Sequence, residues 1–386
     1  MPNCIPIGFL LLFPAIASAA ILEAGPGKLY ATPCKALAVA HDGDTVQIQP
    51  ALYTGDVCAF SQNSLTIQGV NGRPHIAAGG KSSRNKGIWV SSGSNLTVEN
   101  IEFSGATSTD HNGAGIRAEG VNWTVRNCYF HDNQDGILEG NVAGSHILIE
   151  FTEFAHNGSG DGLSHNVYIG HAASLVFRFN WSHNSVAGHL LKTRAAANSV
   201  LYNRLTGESG TGSYELDIPN GGTSFVIGNL IQQGPNSQND KIIAYLEEGA
   251  HSRNPGKHLY VVNNTIVNNQ STGMFVAVGA AGTVPVLIQN NILDGPGEIT
   301  NQPQAVQKTN FTGSLLFVDA AAFNYQLQSG SPAINAGSDP GSVNGVSLAP
   351  SHQYVQPACG QLRITAGAID IGAYEYGGAG AALACR

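Results

Sequence analysis

The sequence predicts an all-β protein built as a parallel β-helix, a solenoid in which short strands stack coil upon coil. Three observations point there. A degenerate unit recurs at Leu96–Asn100, Trp123–Asn127, Leu148–Phe151, Val176–Phe179, Val200–Asn203, Val226–Asn229, Val261–Asn263 and Leu287–Asn290, with successive ends 24 to 34 residues apart. That spacing is one structural repeat plus loops of variable length. Each unit alternates apolar residues with polar or bulky ones, the pattern of a strand with one buried face. Between units, Gly, Asn and Ser cluster and supply the turns, and 48 of the 386 residues are glycine.

Taken in order, residues 1–20 carry the apolar run Ile7–Phe13 followed by the small residues Ala17-Ser-Ala19 and read as a secretory signal, although no Lys or Arg precedes the run. Thr32–His41, with Pro33 in its first turn, reads as a short helix laid over the open end of the first coil, and Asp42–Gln49 as a strand. Coils run from about Gly43 to about Pro296 without a linker, so residues 21–308 are expected to form one elongated domain. The coil after Val226 is long, and its loops Gln232–Asp240 and Glu247–Gly256 are placed to wall a groove. Residues 309–386 change character and are expected to cap the C-terminal end. Asn100, Asn127, Asn203, Asn229, Asn263 and Asn290 are expected to ladder their amides along one corner, against the simpler reading of exposed turn asparagines.

Charged residues make up 11 % of the chain, where about a quarter is usual, and the formal net charge is −8. With no basic run, nucleic acid and acidic membrane surfaces are poor partners, and no stretch after the leader is long and apolar enough to span a bilayer. The chain is expected to act as a monomer. Once Cys4 leaves with the signal, Cys34 and Cys58 lie one coil period apart and form the first candidate disulfide. Cys359 and Cys385 form the second, leaving Cys128 as a small buried residue.

Chemistry concentrates in one window. His165, Tyr168, His189, Lys192, Arg194, Tyr214 and Asp217 fall within it, and Tyr168, Lys192 and Asp217 sit at nearly the same station of successive coils, so they should form a column. Strand alternation makes Lys192 and Arg194 outward neighbours, and Arg117 with Glu119 extends the face toward the N-terminus. Stacked Lys and Asp also make ordinary surface ion pairs, and histidines beside Asn and Gly also cap turns. Clustering in a chain so poor in charge favours a site.

The Asp42-Gly-Asp44 segment, the Val-x-Asn coils and the tail motifs Ser331–Gly337 and Ala368–Tyr376 together resemble the secreted bacterial right-handed parallel β-helix proteins of the pectate-lyase-like superfamily. The resemblance covers nearly the whole mature chain and implies a secreted or periplasmic protein acting on polysaccharide. It does not imply one substrate, because lyases, hydrolases and uronan epimerases share this scaffold. Leu191-Lys192-Thr193 is similar to a strand motif of the lyases, in which a basic residue acts as base while a second one, or calcium, holds the uronate carboxylate. Where those lyases offer an Arg on the next coil, this chain has Asp217.

The expected activity is therefore β-elimination on an acidic polysaccharide. Lys192 or Tyr168 or His165 is the base, Lys192 and Arg194 the carboxylate clamp, His189 a further catalytic candidate, and Arg117, Tyr214 and Asp217 substrate contacts. A hydrolase would need two facing carboxylates, from among Asp135, Glu139, Asp161, Glu215, Asp217, Glu247 and Glu248. Epimerisation and non-catalytic glycan binding complete the alternatives. Cofactor use stands between none and calcium. No Cys or His spacing suggests zinc, and Asp161, Glu215 and Asp217 are the candidate calcium ligands.

Overall fold

The computed structural model describes residues 19–313 and 316–385, so the signal segment, apart from Ala19 and Ala20, lies outside the described residues. Each coil contributes one strand to each of three parallel sheets. The first sheet, of 12 strands, runs from Ile21–Ala24 to Val306–Lys308 and holds the recurring units. The second, of 10 strands, runs from Cys58–Phe60 to Glu298–Thr300. The third, of 11 strands, runs from Leu52–Thr54 to Phe311–Thr312, carrying the solenoid past residue 308. Among the described residues no helix is long and apolar enough to cross a membrane.

Strand alternation sends one set of side chains inward, where each meets the same station of the coil above and below. Phe103, Phe130 and Phe154 of the third sheet stack at 5.0 and 5.2 Å between ring centroids, and Phe177 of the first sheet meets Phe154 across the interior at 6.1 Å. Each such ring contributes about 1.5–3 kcal/mol by leaving water. This benefit requires the stack, because one coil alone encloses nothing.

The corner between the first and third sheets corrects the asparagine assignment. Asn100, Asn127, Asn263 and Asn290 take φ of 57°, 52°, 53° and 56° and make the left-handed turn itself, a conformation Asn tolerates better than most residues. Phe179 and Tyr202 do the same in their coils. The ladder lies one residue later, through Asn180, Asn203, Asn229, Asn264, Asn291 and Asn310. The first five amides each donate to the next Oδ1 at 2.9–3.2 Å and to a backbone carbonyl of the preceding coil, and Asn310 ends the run with its amide on the Ile288 carbonyl. Asn203 and Asn229 lie in the ladder as expected, and Asn263 and Asn290 lie one residue before it, because both stations of this corner favour asparagine; Asn100 and Asn127 precede Ile101 and Cys128 and adjoin no ladder residue.

At the N-terminal end the helix is shorter than expected, Pro33–Leu37 with Thr32 as N-cap, and it buries Ala36 and Leu37. Cys34 bonds Cys58 across a Cα separation of 5.8 Å, as expected in pairing. The geometry differs, since the bond ties the helix to the second sheet instead of joining two stacked coils. Cys359 bonds Cys385, and Cys128 is buried and free.

The expected C-terminal cap is a strap along the flank. Phe317, Tyr325, Leu327 and Ile371 pack on Leu230, Val267 and Ile292, which face outward from the third sheet. Farther along, Ser351 bonds the Tyr202 hydroxyl, His352 meets the Phe179 and Tyr202 rings, and Cys385 shares a cavity with Asn100 and Asn127. The tail thus runs back over many coils because its apolar residues match an exposed apolar strip. Arg363, fully inside the strap, is held by Glu375 at 2.9 Å and by the carbonyls of Asp370 and Gly372.

Asn229→Ala is expected to cost about 1–3 kcal/mol, because it takes the Oδ1 acceptor from the buried Asn203 backbone N–H and side-chain amide and the side-chain donor from the Val200 carbonyl. Asn127→Gly, at a turn position whose Oδ1 has no partner, should stay within about 0.5 kcal/mol. Urea titrations of the two variants against wild type check this contrast.

Candidate functional site

The second sheet presents the expected column. Its pairing sets Arg117 beside Leu138, Leu138 beside Tyr168, Tyr168 beside Lys192, and Lys192 beside Asp217. The neighbours Ile169, Leu191 and Ile218 point into the core, which fixes the column outward. Arg194 lies two residues beyond Lys192 on the same face. Its Nε donates to the Tyr168 hydroxyl at 2.8 Å, and its Nη1 to Asn220 Oδ1.

Glu248 is the residue that sequence reasoning left among seven candidate acids without placing. The loop after Lys241–Tyr245 carries it over the column, where its Oε1 lies 3.1 Å from Lys192 Nζ and its Oε2 2.6 Å from Arg194 Nη2. The loop is pinned by Asn254, whose amide donates to the Arg194 carbonyl at 3.1 Å, and by His251 stacked at 3.9 Å on His171. Its loop composition was visible in the sequence; the coil it overhangs was not. Beneath this contact Lys192 and Arg194 keep 12 % and 14 % side-chain exposure, while Glu248 keeps 47 %.

Lys192 Nζ is also 3.4 Å from Asp217 Oδ2. Burial pushes the Asp217 carboxyl up to about 6, against the pull of Lys192. For Glu248, burial works upward too, but the hydrogen bonds from Arg194 and Lys192 prevail and hold it below its ordinary value. One ammonium therefore stands between two carboxyls whose surroundings drive them apart.

His165 and His189 stack at 4.4 Å beneath the column, both buried. Their lone pairs are committed. His165 Nδ1 accepts the His189 amide N–H at 3.0 Å, and His189 Nδ1 accepts that of Tyr214 at 3.3 Å. This leaves the His189 proton on Nε2, 3.5 Å from Asp217 Oδ2. Burial, with Lys192 and Arg194 nearby, depresses His189 to about 3 and His165 well below its usual range. The pair props up the strand ends as neutral rings, and Tyr214 packs at 4.9 Å on His189.

The remaining candidates are not gathered here. Arg117 sits two coils from Tyr168 and three from Lys192, 3.6 Å from Glu119, which Lys86 also engages. Asp161 bonds His111 and the Leu163 amide, whereas Glu215 is buried against Ser237, so the candidate calcium ligands do not converge on Asp217. Asp135 accepts the His165 amide at 2.7 Å and is pushed up to about 8 by burial.

Residues 57–231 match the family described as right handed beta helix region. Among solved structures, the chain is similar to pectate lyase Pel9A, with TM-score 0.63 and 14 % identity over 94 % of this chain and 98 % of that one. It also aligns with a pectin methylesterase from Aspergillus niger at TM-score 0.36 and 13 % identity, over 81 % and 91 % of the two chains. No curated protein matches. The protein thus has the right-handed parallel β-helix fold, which it shares with pectate lyase Pel9A.

An unfolded histidine takes up a proton near its ordinary value of 6.5, while folded His189 resists until about 3. Stability should therefore fall as pH drops through that window, by up to about 1.4 kcal/mol per pH unit from this residue. His189→Asn, which keeps an acceptor for the Tyr214 amide, should make the acid limb shallower in denaturation midpoints measured against pH. Identical limbs would mean that folded His189 protonates freely.

Proposed function

We propose that this protein is a secreted or periplasmic polysaccharide lyase that cleaves a uronic-acid-containing polysaccharide by β-elimination at Lys192, Arg194 and Tyr168. The observation that carries the reading is the Glu248 carboxylate held between Lys192 and Arg194 on the outward strip. Groups spaced to grip that carboxylate suit the carboxylate of a uronate equally well, and the substrate displaces Glu248 to reach them.

Elimination removes the proton α to the uronate carboxylate, breaks the bond to the leaving oxygen at the next carbon, and returns a proton to that oxygen. Negative charge develops on the carboxylate, where two fixed cations stabilise it most effectively. Tyr168 is the proton-transfer group in this scheme, because its hydroxyl accepts the Arg194 Nε–H at 2.8 Å and so stands beside the two clamping cations. The committed lone pairs of His165 and His189 argue against either as base, and the two carboxyls flanking Lys192 favour it as clamp. The Pel9A-like fold is compatible with this chemistry without specifying it.

A second reading, glycoside hydrolysis, is favoured by one observation. Asp217 is raised to about 6 and Glu248 is lowered, the split expected of an acid and its partner carboxylate.

Incubation with a panel of uronic-acid polysaccharides, with and without calcium, should raise the ultraviolet absorbance of a 4,5-unsaturated uronate. Arg194→Ala should lower kcat/KM by about 100-fold or more, in the range of losing one charge-stabilising donor. Glu248→Gln separates the readings: a lyase keeps kcat and gains a lower KM, whereas a hydrolase loses turnover. New reducing ends without the ultraviolet band would replace elimination with hydrolysis.

A further inference from the structure

On the third sheet, away from the Lys192 column, His75, Glu102 and His131 come from three adjacent strands, each one coil from the next. The pairing sets His75 beside Glu102 and Ser104 beside His131, while Ile76, Phe103 and Phe130 between them point into the core. The three side chains therefore face outward together. Glu102 Oε1 lies 3.4 Å from His75 Nδ1 and 3.1 Å from His131 Nε2, and all three atoms lie within 4.8 Å of one another.

The outer nitrogens are already engaged. His131 Nδ1 is 2.7 Å from the Asp132 carboxylate, which accepts its proton, and His75 Nε2 is 2.7 Å from the Ser104 hydroxyl. His75 Nδ1 and His131 Nε2 face the same Glu102 oxygen from either side, so three ligand atoms converge on one point of the surface, the arrangement that a bound cation requires. Two atoms bonded at about 2.0–2.1 Å to a tetrahedral ion sit about 3.3 Å apart, close to the two spacings found here. The Tyr129 ring, stacked at 4.4 Å on His131, fixes the imidazole plane.

We propose that His75, Glu102 and His131 form a transition-metal site, best suited to zinc, with Asp132 and Ser104 orienting the two histidines. Two imidazole nitrogens and one carboxylate suit zinc, and they disfavour calcium or magnesium, which require oxygen ligands. Three protein ligands leave a fourth position. The side chains keep 17–28 % exposure, so water or a small anion reaches it. The carboxylate–histidine–metal arrangement through Asp132 is the outer-shell support that such sites use.

The test is titration of the chelator-treated full-length protein with zinc chloride near neutral pH, followed calorimetrically, with cobalt as a spectroscopic stand-in. One equivalent should bind, and cobalt should give the visible bands of a tetrahedral ion. Asp132→Asn should weaken binding by about 10–100-fold, and His75→Ala or His131→Ala by more. Because all three side chains face outward, these variants should keep the wild-type circular dichroism. No binding by the wild type would overturn the site and leave two histidine–glutamate ion pairs. Binding of equal strength by a His75→Ala/His131→Ala double variant would also overturn it, by placing the metal elsewhere.

Discussion

The rest of the structure depends on parallel, in-register stacking of coil upon coil. A β-strand buries its apolar face only against something, and here that something is the same station of the neighbouring coil. Backbone hydrogen bonds between coils set the spacing, and the phenylalanine stack and the asparagine ladder then reinforce the register from inside. The ladder is exacting, because a buried amide without its partner costs more than the hydrogen bond contributes. The turn residue before each ladder position carries the strain of a left-handed backbone, and the ladder stabilises that strained corner.

In-register stacking also changes what sequence distance means. Residues about one coil apart become neighbours at about the 4.8 Å spacing of adjacent strands. Tyr168, Lys192 and Asp217 are brought together this way on the second sheet, and His75, Glu102 and His131 on the third. The scaffold supplies rigid columns on three faces, and each face carries different chemistry according to the outward residues. Loops and the tail then cover some columns and leave others open. Glu248 covers the cationic column, and the C-terminal strap covers the apolar strip.

Electrostatics within the column follow from partial burial. Asp217 is pushed up because it lies beneath Lys192 out of reach of water, whereas the hydrogen bonds from two cations hold Glu248 down. The histidines beneath stay neutral because charging them would place a cation out of water beside two others. A chain with so few charges has arranged several of them where their interactions are strongest.

By itself the sequence determined the solenoid, its period, the outward column and both disulfide pairs. Those features depend on alternation and on spacing along the chain, which stacking carries directly into space. The asparagine ladder was only half legible, since two adjacent stations both favour Asn and only backbone φ separates them. The tertiary structure decided what depends on where a loop lands. It placed Glu248 over Lys192, tied up the lone pairs of His165 and His189 with backbone amides, and turned the expected cap into a strap. It also brought His75, Glu102 and His131 together, a grouping hidden in the sequence because each residue lies a full coil from the next and carries no local motif. Periodicity reports which face a side chain takes. The register between coils and the path of the loops decide what it meets there.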